Sequence, residues 1–173
     1  MRILTVSVMA LVFALASHAV EAVQCLNNIP PTNPDSVYQI HGDGSTVTDT
    51  RTGLMWKRCS EGQTWDGSTC AGSASTYTWA DALDHALTLT DGGHDDWRLP
   101  NRNELESLVE DCTYGPSINS DIFPGTPSSS FWSASPIAMD SVSAWAVYFG
   151  NGYSGSGSRS NFYLRIRAVR GGQ

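Results

Sequence analysis

Several absences narrow the chemistry open to this chain. Of its 173 residues only 16% are charged, and the balance is acidic, with 10 Lys+Arg against 17 Asp+Glu and a net charge of −7. Such a surface has no electrostatic footprint for nucleic acid, for anionic membrane or for polyanions in general. No CxxC pair occurs, and His41, His85 and His94 show no ligand spacing around the cysteines, so no metal site is expected. No Gly-x-Ser-x-Gly elbow marks a hydrolytic serine, and His85 and His94 have no identifiable partners in the sequence. Asp95-Asp96 reads as a turn ahead of a strand rather than a catalytic carboxylate pair. There are no internal repeats. The expectation is therefore no catalytic residue, no cofactor and no metal.

The longest apolar run, Ile3 to Ala16, is too short for a bilayer span of about 20 residues. It follows the basic Arg2 and leads into small residues, with Val20 and Ala22 where a signal peptidase reads. This is the pattern of a secretory signal peptide over residues 1–22, with Ala19 as a second cleavage point. Val23-Gln24 ahead of Cys25 lacks the small residue that lipidation needs. Removing the signal takes away one charge of each sign, Arg2 and Glu21, so the net charge stays at −7. A secreted protein with no membrane span is expected, in the periplasm, at the cell surface or outside the cell.

What is present fits that compartment. Four cysteines in an exported chain read as two disulfides. Three pairings are open. The short polar loop from Ser60 to Thr69 favours Cys59 with Cys70, which leaves Cys25 with Cys112. Residues 23–36 are rich in Pro and Asn without periodicity and predict an extended arm held by Cys25; residues 37–173 predict a single domain. Val37–Ile40, Thr46–Asp49 and Leu54–Lys57 alternate with Gly- and Thr-containing turns as short strands. Asp43 and its neighbours lack the alternating ligands of a calcium loop and read as a plain turn.

Thr78 and Asp81 open a helix whose apolar stripe is Trp79, Leu83 and Leu87, stopped by Gly92-Gly93. Asn101 and Glu104 open a second, with Leu105, Leu108, Val109 and Cys112 on one face. Ile122–Pro127 reads as an apolar plug. Phe131–Ser135, Ala144–Phe149 and Phe162–Val169 read as strands, with a Gly/Ser-rich loop over Gly150–Asn161. Helices early and an antiparallel meander late define an α+β chain. Trp97 and Leu99 should be core residues, with Arg98 paired to Asp95 or Asp96. Arg165, Arg167 and Arg170 should form the solvated edge of the final strand.

Four segments resemble one family. They are Val47-Thr-Asp49 with Thr52-Gly-Leu-Met-Trp56, Asp96-Trp-Arg-Leu-Pro-Asn101 with Glu104-Leu105, Phe131-Trp-Ser-Ala-Ser135, and Tyr163-Leu-Arg-Ile-Arg-Ala-Val-Arg-Gly-Gly172. In this order they resemble the Lcl C-terminal domain family, named for a Legionella collagen-like adhesin, over roughly Tyr38 to Gly172. The resemblance implies a C-type-lectin-like fold, two helices packed on a twisted antiparallel sheet with long loops, and kinship with formylglycine-generating enzymes. Those enzymes need a late cysteine pair, and no cysteine follows Cys112. The Glu-Pro-Asn and Gln-Pro-Asp strings of calcium-dependent lectins are also absent. The function expected is an adhesin-type binding module for an extracellular glycan or protein. The alternatives are a pilus- or envelope-associated structural subunit and a divergent formylglycine-generating-type enzyme. The candidate ligand site is the Gly/Ser loop, through Asn151, Tyr153, Ser154, Arg159 and Asn161, because glycine admits close approach and tyrosine gives flat contact at low entropy cost. Oligomeric state is not legible.

Overall fold

The computed structural model describes residues 25, 26 and 28–172. The expected signal peptide, its cleavage point and residues 23 and 24 of the arm lie outside these. Strands β1 (Tyr38–His41), β2 (Thr46–Asp49) and β3 (Met55–Lys57) form an antiparallel sheet closed on its far edge by β9 (Val169–Arg170), in the order β1-β2-β3-β9. A two-stranded ribbon, β4 (Thr64–Trp65) with β5 (Cys70–Ala71), is tied by the Cys59–Cys70 disulfide. Helices α1 (Trp79–Ala86) and α2 (Arg102–Glu106) follow. A second antiparallel sheet runs β6 (Ser130–Ile137), β7 (Asp140–Tyr148), β8 (Tyr153–Ser158). This is a small α+β domain with antiparallel sheets and two helices.

The second sheet divides the core. Phe131 opposes Val147, and the next pair, Trp132 with Ala146, points to the other face because strand side chains alternate. Phe131, Val147 and Phe149 join Val47, Trp56, Leu105, Leu108, Ile118 and Phe123 in one buried cluster against the first sheet. Trp132, Ala144 and Ala146 join Ala82, Ala86, Leu99 and Ile166 in a second cluster beneath α1. Trp97 and Leu99 are buried, as is the plug residue Phe123.

Both helices start where their caps predict. Thr78 Oγ1 accepts from the Asp81 amide at 3.3 Å, and the Asn101/Glu104 capping box has both of its halves. Their apolar faces depart from expectation. The first helix stops after Ala86, so Leu87 falls at its C-cap and is exposed, while Ala82 and Ala86 take the core positions and let the helix approach the sheet closely. The second is short, and its stripe continues into the following turn, where Leu108 and Cys112 are buried.

Four further expectations are corrected. The segment 150–161 is not a loop, because Tyr153–Ser158 pairs with β7 along its whole length. The chain from Phe162 to Ala168 is not a strand; Leu164 and Arg165 make only isolated bridges, to Tyr77 and Phe131. Nor do the late arginines form a solvated edge. Arg167 is fully buried, donating to the carbonyls of Lys57 and Arg58 and to Thr126 Oγ1, with its guanidinium over the Phe123 ring. Burial pushes its pKa down to about 9, so it stays cationic at neutral pH. Arg170 pairs with Asp96 at 2.6 Å, and Arg98 pairs not with Asp95 or Asp96 but with both oxygens of Glu104 at 2.8 Å.

The N-terminal arm is clasped as well as tethered. Cys25 is joined to Cys112, and the fully buried Glu110 carboxylate accepts the amides of Thr32 at 2.8 Å and Asn33 at 2.7 Å. Asn119 Nδ2 donates to the Asn33 carbonyl at 2.9 Å. No helix among the described residues is long and apolar enough to cross a membrane.

Candidate functional site

The hairpin that joins β7 to β8 places a group of aromatic rings at the end of the second sheet. Tyr148 opposes Tyr153, and Ala146 opposes Gly155, so these four side-chain positions share one face. Farther along that face Trp132 and Gly157 are covered, and the covering chain brings Phe162 and Leu164 over the sheet. Between the tyrosines and Phe162 the sheet stays open. The result is a cleft of about 320 Å³ whose floor is Ala146 and Gly155 and whose walls are Tyr148, Tyr153, Phe162 and Leu164. That is at the small end of ligand pockets, which run from about 300 to 1,000 Å³. Tyr153 is 68% exposed, Phe162 49% and Tyr148 40%.

Glycine makes this geometry possible. A Cβ at Gly150 would stand 2.3 Å from the Tyr148 ring, one at Gly155 would stand 3.0 Å from Tyr153, and one at Gly157 would stand 3.2 Å from Phe162. Each wall ring thus lies against a residue with no side chain. Neither Gly155 nor Gly157 needs a left-handed backbone, so their role is space rather than conformational freedom. Polar side chains are sparse: Ser130 and the Asn151 amide, whose Oδ1 accepts from the Tyr153 amide at 3.1 Å.

Of the residues proposed from sequence, the fold brings Asn151 and Tyr153 together at this cleft. Ser154 points to the opposite face, where it lines a shallow depression with Arg102 and Glu106. Arg159 is engaged elsewhere, its guanidinium 4.4 Å from the Trp79 ring centre and its Nε donating to the Ser143 carbonyl at 2.8 Å. Asn161 is exposed and does not line the cleft. Tyr148, Phe162 and Ser130 were missed. The signal that could have found the two rings is the coincidence of a glycine with an aromatic two residues before it, Tyr148 and Gly150, or five after it, Gly157 and Phe162.

Elsewhere the surface is charged. One cleft, of about 410 Å³, lies between His41, Asp43, Met55 and His94; an adjoining one, of about 260 Å³, lies between Lys57, Trp65 and Asp91. His85, expected to have no partner, stacks on Tyr77 and sits 3.1 Å from Glu61, which also receives Lys57 at 2.7 Å. The arrangement ties α1 to the first sheet. Among the described residues, Cys25, Glu110 and Cys112 bring metal-type ligand atoms within 4.8 Å of one another, but both sulfurs are joined in a disulfide and offer no thiolate.

The chain belongs to the Lcl C-terminal domain family, whose model matches residues 45–170. A comparison with curated proteins found no match. Membership in the family relates the chain to an adhesin's C-terminal module.

Proposed function

We propose that this chain is a secreted, non-catalytic binding module of the adhesin kind, with a C-type-lectin-like fold, that takes an extracellular glycan or protein at the cleft between Tyr148, Tyr153 and Phe162. The observation that carries this reading is three exposed aromatic rings seated against glycines around one open concavity. Tyrosine buries large area with only two side-chain torsions to lose, which is why it recurs at binding hot spots. Two disulfides and the family membership support an extracytoplasmic setting.

The exported protein, applied to a glycan array and to a panel of matrix proteins, tests the reading. A ligand found this way should lose roughly thirtyfold or more in affinity on Tyr153→Ala combined with Phe162→Ala, the loss of about 2 kcal/mol expected of one hot spot. Unaltered binding by a double variant with a normal melting curve overturns the assignment.

A further inference from the structure

The chemistry of the cleft narrows the ligand, on the reading that this cleft is the binding site. We infer that it recognises an uncharged sugar unit, of mono- or disaccharide size, and not a sulfated or otherwise anionic glycan. The cleft contains no charged side chain: its lining is aromatic and aliphatic, with Ser130 and Asn151 as its polar side chains. Each of the other clefts described carries charged groups, Asp43 with His41, Lys57 with Asp91, or Arg102 with Glu106 and Asp111. An anionic ligand needs a cation, since desolvating a sulfate without a partner is unfavourable. The arginines nearest in sequence do not line it. Arg159 lies on Trp79 and donates to Ser143, and Arg165 donates to the Ser129 hydroxyl.

A neutral sugar meets what remains. One face of a pyranose is a patch of C–H groups, which can lie on Tyr153 or Phe162 and exclude water from both surfaces. Its rim is hydroxyls, each both donor and acceptor. Among the described residues the Ser130 hydroxyl makes no hydrogen bond within the protein, and the Asn151 amide has its two N–H donors to offer; Ser156, like Ser154, directs its side chain to the opposite face. An apolar peptide side chain would use the rings and leave these polar groups idle. The net charge of −7 repels polyanions at longer range and does not affect a neutral sugar.

The test is calorimetric titration of the exported protein with three probes in calcium-free buffer. They are a neutral hexose and N-acetylhexosamine oligosaccharide panel, a heparin oligosaccharide of matched length, and a Phe-containing tripeptide. A neutral oligosaccharide should bind, with affinity unchanged between about 0.1 M and about 1 M salt, where the screening length falls from about 10 to about 3 Å. Tyr153→Ala should weaken it roughly thirtyfold. Preferred binding of heparin or of the tripeptide, or binding of no probe, overturns the neutral-sugar inference. If heparin or peptide binding is lost in Tyr153→Ala, the cleft is still the site and only its chemistry is wrong. If a bound probe is indifferent to both Tyr153→Ala and Phe162→Ala, the site itself is wrong.

Discussion

Two alanine substitutions in β8, two residues apart, should have opposite consequences. At Gly157 a Cβ would lie 2.6 Å from Trp132 Cη2 and 2.8 Å from its Cζ3. Trp132 cannot move aside: it is fully buried, and its Nε1 donates to the Tyr77 carbonyl at 2.9 Å. Overpacking of this kind costs about 1–3 kcal/mol. Losing a glycine from the unfolded chain returns about 0.4–1 kcal/mol, so Gly157→Ala should destabilise by about 0–2.6 kcal/mol, or about 1.3 kcal/mol at the middle of both ranges. For a domain of this size each kcal/mol lowers the melting temperature by about 2–4 °C. At Gly155 the nearest atom is Tyr153 Cε1 at 3.0 Å, on a ring that is mostly exposed and free to swing. Gly155→Ala should therefore melt within about 0.5 kcal/mol of the parent, while the displaced ring alters the cleft and weakens ligand. Thermal melts of both variants with disulfides intact decide the matter. A Gly157→Ala protein more stable than the parent would refute the claim that β8 glycines make room for rings.

Glu110→Ala removes the acceptor for the Thr32, Asn33 and Cys112 amides. With a buried unpaired donor costing about 1–3 kcal/mol, a loss of roughly 3 kcal/mol is expected, and limited proteolysis should then cut within residues 28–34. Burial raises the Glu104 pKa, but the Arg98 guanidinium and the Asn101 amide outweigh it and hold the carboxyl below its ordinary 4.5. A carboxylate with a depressed folded pKa stabilises above its unfolded value and loses that contribution as pH falls through the folded one. Stability should therefore decline as pH drops below 4.5, and Arg98→Met should make that decline shallower in urea titrations across pH. Non-reducing peptide mapping should recover Cys25 with Cys112 and Cys59 with Cys70 and no free thiol.

The parts of the fold written in local chemistry were legible. Alternating Thr-Val-Thr and Met-Trp-Lys between turns give β2 and β3, and Thr78 and Asn101 cap helices where side-chain acceptors three residues ahead of an amide require them. What tertiary contacts decide was not. Tyr153 to Ser158 has the composition of a flexible loop, yet each glycine answers a ring from another position, Trp132 and Phe162 at Gly157 above all. Leu87 continues a good apolar stripe, but the helix ends first. Arg167 resembles a surface cation because nothing local announces the Lys57, Arg58 and Thr126 oxygens that receive it, 41 to 110 residues away. The same holds for the site. Asn151 and Tyr153 are two residues apart at the turn into β8, whereas Phe162 joins them only because the covering chain folds back across the sheet.

Amide chemical-shift mapping tests the central claim most directly. The exported protein, labelled with nitrogen-15, is titrated with the neutral oligosaccharide that binds best. The account predicts saturable shifts concentrated at Ala146 to Gly157 and at Phe162 to Leu164, with the tryptophan Nε1 signals of Trp56 and Trp65 unmoved. Shifts centred instead on Lys57, Trp65 and Asp91, or no saturable shift with any member of the panel, would contradict it.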